Sequence, residues 1–255
     1  MTRNWILALT FLLLSWRCNA QTVQTVHLAS TEWPPYSGAA LAEQGAASAV
    51  VRAAFASVGI TVKVDFFPWA RAVILGTTDK NFDGYFPGYP DAERMEKSYA
   101  SVPIGSSPLG LAERMAKPIN WQNIGDLTGL KVGVVNGYVN TVDLDAAIAA
   151  DHVHGDVAPS DQSNLTKLLM ARVDAAVIDR HVFEYLSVSD PAIAAQGGKL
   201  EFNKKLLSNT DIQVFFKRTP QGQILQRSFD LGLKKINAAK VFNDAIAAMK
   251  TTPEH

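Results

Sequence analysis

The residues best suited to chemistry sit in a few short segments. Arg94, within FDGYFPGYPDAERMEKSYASVPI at 82–104, carries a planar guanidinium that can grip a carboxylate through two parallel hydrogen bonds. The competing assignment is a surface ion pair with Asp91, Glu93 or Glu96. Trp33 and Tyr36 in STEWPPY, and Trp69 in PWARA, offer flat faces for an apolar or cationic group; otherwise they cover the core at loop bases. Glu32 and Arg71 lie beside them, as ligand contacts or as a solvated acid and a surface cation. Asn136–Gly137–Tyr138–Val139–Asn140–Thr141 opens a helix. Its unpaired N–H groups either anchor a carboxylate or are capped by Asn136 or Asn140.

Catalytic signatures are sparse. Neither a Gly-x-Ser-x-Gly turn nor a phosphate loop is present. His152 and His154 share a strand face without a third ligand close in sequence. The expectation is therefore binding rather than catalysis, with no metal and no cofactor.

Alternating strands and helices must position these groups. Strands are expected at Thr25–Ala29, Ile60–Phe66 and Phe82–Phe86, with a helix at 41–58 whose Ala47, Val50, Val51, Ala54, Phe55 and Val58 share a face. The pattern restarts near Pro108, with strands at Lys131–Val135, Val153–Val157 and Val173–Ile178. Helices are expected at Val139–Ala150 and after Ser160. Strands at Lys199–Leu206 and Ile212–Phe216 precede Thr219–Pro220, a helix start. Each half has an Asp-small pair leading into a later strand (FDGYF, VDAAVI), which implies two similar lobes with chain crossings near 105–110 and 206–212.

In open parallel α/β sheets, ligands bind beyond the carboxyl ends of the strands. Here those ends carry STEWPPY, PWAR, PGYP with Tyr89, NGYVN with Tyr138 and Asn140, and Asp179–Arg180–His181. Two such edges facing each other form an aromatic cleft with a few charges, the character of a small-molecule site.

Residues 1–20 resemble an export signal: Arg3, an apolar run from Trp5 to Leu14, and small residues before a cleavage point near Ala20. The chain balances 24 Lys and Arg against 24 Asp and Glu, and losing Arg3 and Arg17 leaves the mature part slightly acidic. That argues against nucleic acid or an anionic membrane as partner. The lone cysteine, Cys18, falls in the signal, so an ordinary hydrophobic core must stabilise the exported protein.

The order of residues 82–104 resembles the signature of the type 3 (polar amino acid) family of bacterial periplasmic solute-binding proteins. There an Asp-Ala strand leads to a Thr-Pro-Glu-Arg turn and a Phe-Ser-Asp-Pro segment. Asn123–Gly133 is similar to the segment leading into that family's second lobe, and Val214–Arg218 to its return strand. The resemblance spans essentially the whole mature chain. It implies an α/β, two-lobed periplasmic-binding-protein fold (type II), each lobe a mostly parallel sheet flanked by helices, with two crossing strands as hinge. Lobe one would hold 21–107 and 208–255, and lobe two 108–207.

By the same resemblance, Arg94 holds a ligand carboxylate and Asp179, five residues after Asp174, its ammonium. The partners implied are an amino acid-like small molecule and an ABC permease in the inner membrane, with the binding protein a periplasmic monomer. Some relatives are dehydratases, for which Glu32 is the nearest acid here, and others are soluble partners of signalling receptors. Three departures stand out. Gly88–Tyr89–Pro90 replaces a Ser-Ile-Thr run, Tyr138–Val139 replaces a Thr-Thr pair, and PWARA adds bulk and charge. An aromatic or modified ligand is therefore compatible with the sequence.

Overall fold

A computed structural model describes residues 24–251; the export signal and its cleavage point lie outside the described residues. β1 (Thr25–Ser30) pairs in parallel with β2 (Thr61–Phe66) and β3 (Gly84–Gly88). The connections are α1 (Ala46–Ala56) and α2 (Trp69–Thr78). α1 buries Ala47, Val50, Val51, Ala54 and Phe55, the face its periodicity predicts. It starts later than residue 41 because residues 42–45 form a tight turn against the Tyr36 carbonyl. Gly45 there has φ 97°, and a Cβ would lie 2.5 Å from that oxygen.

After α3 (Ala92–Lys97) and β4 (Ser98–Ala100), the long strand β5 (Gly105–Arg114) leads into the second half. There β6 (Lys131–Val135), β7 (His154–Ala158) and β8 (Ala175–Asp179) alternate with α4 (Val142–Ala149) and α5 (Asp161–Leu169). Helices α6 (Arg180–Ser189) and α7 (Pro191–Ala194) follow. β9 (Leu200–Lys217) returns, and α8 (Pro220–Leu233) and α9 (Ala238–Thr251) close on α1.

The strand order is β2-β1-β3-β9-β5-β8-β6-β7, with β4 also on β9. β5 and β9 pair antiparallel from Gly105↔Ile212 to Arg114↔Leu200 and join the two halves, giving a two-lobed α/β architecture. Sequence reasoning split β9 into two strands because Ser208, Asn209, Thr210 and Asp211 are polar; in the fold these residues sit opposite β5. It placed a chain crossing at 105–110 without giving β5 its bounds, because Gly105, Pro108 and Gly110 are poor strand formers. The two glycines are required by rings packed on them: a Cβ would meet Phe242 at 2.4 Å and Phe202 at 2.5 Å.

One core cluster centres on Leu28, Phe55, Phe216 and Phe229, and a second on Leu111, Val132, Leu144 and Val177. The carboxyl ends of β1, β2, β3, β6 and β7 all deliver loop residues to one shared cleft.

Candidate functional site

The cleft has two chambers that share Thr31, Trp33, Trp69 and Tyr138. The smaller one, called inner for its volume of about 40 Å³, is also lined by Pro87, Gly88, Tyr89, Arg94 and Val139. The outer one, about 700 Å³, is bounded by Glu32 and Phe67 from the first lobe and by Asn136, Asp161 and Gln162 from the second. Its volume suits a small molecule. Gly88 matters locally: a Cβ would lie 3.1 Å from the Trp69 ring, so its absence lets that indole lie close over β3.

Arg94 makes the ion pair with Asp91 and also lines the inner chamber. Asp91 caps α3 by accepting from the Arg94 backbone N–H at 2.9 Å, and its Oδ2 lies 2.7 Å from Arg94 Nη1. Nη1 also donates to the Tyr89 carbonyl at 2.9 Å, and the guanidinium carbon stands 5.3 Å from the Trp69 ring centre. The side chain is held at 13% exposure while lining the inner chamber. A cation fixed this way, against an aromatic face and partly dry, is preorganised for a ligand anion.

Asp179 is placed differently from the expectation. It caps α6, Oδ1 accepting from the N–H groups of His181 and Val182 at 2.7 and 3.0 Å. Oδ2 accepts from the Tyr36 hydroxyl at 2.8 Å and the Ser107 hydroxyl at 2.5 Å. The single Ser107 proton is thereby used, so the Tyr89 hydroxyl, 2.7 Å from Ser107 Oγ, must be the donor in that contact. Burial pushes the Asp179 carboxyl above the usual carboxylate range, against the pull of Ser107, Val182 and Tyr36. Burial and the Asp179 charge raise the Tyr36 phenol. Neither Asp179, 3% exposed, nor Tyr36, fully buried, lines a chamber. Of the ligand contacts expected for both, the geometry shows instead a mutual hydrogen bond inside the protein.

The acid that does face the cleft is Asp161, which sequence reasoning missed. It is the first residue of α5, behind the Ser160 cap, and it lines the outer chamber at 8% exposure. The Tyr138 hydroxyl donates to its Oδ2 at 3.5 Å. Burial, and then the Asp179 charge, raise its pKa to about 7. The clue was available, because Pro159–Gln162 follows the carboxyl end of β7, the position already treated as a ligand edge for other strands.

The remaining candidates divide. Trp33, Trp69, Tyr89 and Tyr138 line the cleft, and Glu32 does too while its Oε1 accepts from Ala39 N–H at 3.0 Å. Arg71 lines neither chamber and lies over the Phe67 ring, 5.6 Å from its centre. Asn140 is turned toward its own helix. Its N–H and Nδ2 donate to Asp145 at 3.1 and 2.7 Å, while Thr141 rather than Asn136 or Asn140 caps α4. Asp145 thereby takes up the Asn140 N–H just before the helix cap.

No family model matches the chain, and neither does any curated protein. Solved structures do. The amino acid ABC transporter substrate-binding protein AbpA from Streptococcus pneumoniae, bound to L-arginine, shares 15% identity at TM-score 0.71, covering 89% of this chain and 97% of that one. A histidine kinase sensor domain with similarity to periplasmic binding proteins shares 15% at TM-score 0.74, covering 91% and 99%. The ancestral amino acid-binding protein AncCDT-1, a precursor of cyclohexadienyl dehydratase, shares 15% at TM-score 0.68, covering 89% and 96%. At such identities the likeness establishes the two-lobed periplasmic-binding-protein fold. Among the described residues no helix is long and apolar enough to cross a membrane.

Proposed function

We propose that this chain is a divergent solute-binding protein of the polar amino acid type. It is exported to the periplasm, captures a small carboxylate-bearing ligand and presents it to an ABC permease. Residues 21–107 with 208–255 form one jaw and 108–207 the other. The observation that carries the proposal is Arg94, held by Asp91 and Trp69 in the inner chamber of an aromatic cleft between the lobes. A ligand carboxylate docks on Arg94, and closure then brings Tyr138 and Asp161 onto its other end. Expelling water strengthens the charge contacts, and the ligand's preference for the closed form biases the equilibrium. The test is calorimetry with the twenty common L-amino acids and simple carboxylates, on wild type and Arg94→Ala. A bound carboxylate whose affinity is unchanged by the substitution overturns the proposal.

One observation favours a second reading. A buried acid with a pKa of about 7 facing a ligand cleft is poised for proton transfer, and AncCDT-1 is the precursor of an enzyme. Appearance of a new product in the NMR spectrum of a bound ligand would separate catalysis from capture.

A further inference from the structure

Among the described residues, the buried carboxyl side chains are Glu113, Asp161, Asp179 and Asp190. Three of them are fully engaged within the protein. Glu113 accepts from Ile119 N–H at 2.8 Å and Asn203 Nδ2 at 2.9 Å. Asp190 caps α7 through two N–H groups at 2.9 Å each and is also bonded by Gln162. Asp179 has the four partners described above. Asp161 has its own backbone N–H and one distant hydroxyl, Tyr138 at 3.5 Å, and it is the one of the four that lines a chamber. Across the same chamber stand Trp33, Phe67 and Trp69.

A dry carboxylate without strong donors is costly, and aromatic faces opposite it attract cations. We infer that Asp161 and Tyr138 form a second subsite, in the outer chamber, for an organic cation: the protonated or alkylated amine end of the ligand. This rests on the carboxylate-capture reading only for the Arg94 end. Because Asp179 is taken by Tyr36 and Ser107, the cation is received beyond the Trp33–Trp69–Tyr138 waist rather than beside the carboxylate. The ligand is therefore extended, its charged ends set apart.

The charged and titratable groups around Asp161 are Tyr138 and Tyr89 beside it, Asp179 behind it, Glu32 across the outer chamber and Arg94 in the inner one. Glu32 adds negative potential of the sign a cation needs. Since Asp161 holds a proton up to about pH 7, proton and cation compete, and cation affinity drops as pH falls below that value.

The test uses three probes: agmatine (cationic, no carboxylate), L-arginine (both charges) and glutarate (carboxylates only). Binding is read by calorimetry and thermal shift at pH 6 and pH 8. Agmatine and L-arginine should bind wild type, more weakly at pH 6, with roughly a tenfold loss per pH unit as the limit for one proton. Asp161→Asn should weaken both at least tenfold and flatten the pH dependence. Arg94→Ala should weaken L-arginine and spare agmatine. Binding of glutarate alone overturns this subsite and leaves the carboxylate reading standing. Agmatine affinity that Asp161→Asn does not change also overturns the subsite. Silence of all three probes overturns both.

Discussion

The Tyr36 hydroxyl donates to Asp179 Oδ2 at 2.8 Å, linking the loop after β1 to the end of β8 across the two lobes. Both groups are buried, so the contact is worth more than a surface hydrogen bond. An internal phenol thus fills the place that the family resemblance reserves for a ligand ammonium. Tyr36→Phe keeps the ring, packed 4.3 Å from Trp33, but withdraws the donor. The expected cost is about 1–3 kcal/mol of folding stability in urea denaturation. An unchanged midpoint would mean that the two groups are solvated rather than paired.

Arg94→Ala removes the cation at the inner chamber. A ligand carboxylate then loses its partner in a partly dry site, which costs ~2–5 kcal/mol of binding free energy. Folding should suffer less, because α3 is a six-residue helix with no buried residue, so losing the Asp91 pair disturbs little of the core. Calorimetry and denaturation on the same variant check the separation: a large loss of both would make Arg94 a structural cation.

How much of this was visible in the sequence depends on the range of the interaction that decides each feature. Lys131–Val135 emerges with the bounds read from its β-branched run, and Ser160 caps α5 as its position suggests, because both are local effects. β5 and the middle of β9 were legible only as chain crossings near 105–110 and 206–212, without strand bounds, because their residues are poor strand formers held by pairing about a hundred positions apart. The site shows the same limit. The aromatics at strand ends pointed to the cleft, yet Asp161 and Asp179 each follow a strand and look alike in sequence. What separates them is a tyrosine 143 residues from Asp179, and no local pattern carries that contact.

Gly88→Val should act on the ligand more than on the fold. The first added carbon would meet the Phe215 ring at 3.0 Å and the Trp69 ring at 3.1 Å. Phe215 is fully buried and cannot yield, whereas Trp69 borders open chamber space. The indole should therefore swing into the cleft and away from the Arg94 guanidinium. Stability is expected to fall by about 1–3 kcal/mol from overpacking, with ligand affinity reduced beyond what the small unfolded fraction explains. Quenching of Trp69 fluorescence by acrylamide, with Trp33 and Trp121 both replaced by Phe, should rise in the variant; an unchanged signal would place the strain elsewhere.

Asp161 makes stability depend on pH in a direction opposite to that of a salt-bridged aspartate. Its folded-state pKa, about 7, lies above the ordinary carboxylate range. Between about pH 4 and 7 the native protein therefore holds a proton that the unfolded chain releases, and the slope of stability against pH is negative. The stabilising contribution is complete below the unfolded pKa and is lost as pH rises to 7. By the conversion for one titrating group, the loss approaches about 4 kcal/mol at most. Asp230, whose pKa is also raised, titrates in both proteins when wild type is compared with Asp161→Asn, so its effect cancels; Asp179, whose charge helps to raise Asp161, titrates together with it, and the difference reports the pair. The substitution should therefore become progressively more stabilising from pH 4 to pH 7 and level off above. Urea denaturation at half-unit pH steps reads this directly, and a stability difference independent of pH would show that the Asp161 carboxyl is hydrated rather than buried against Tyr138.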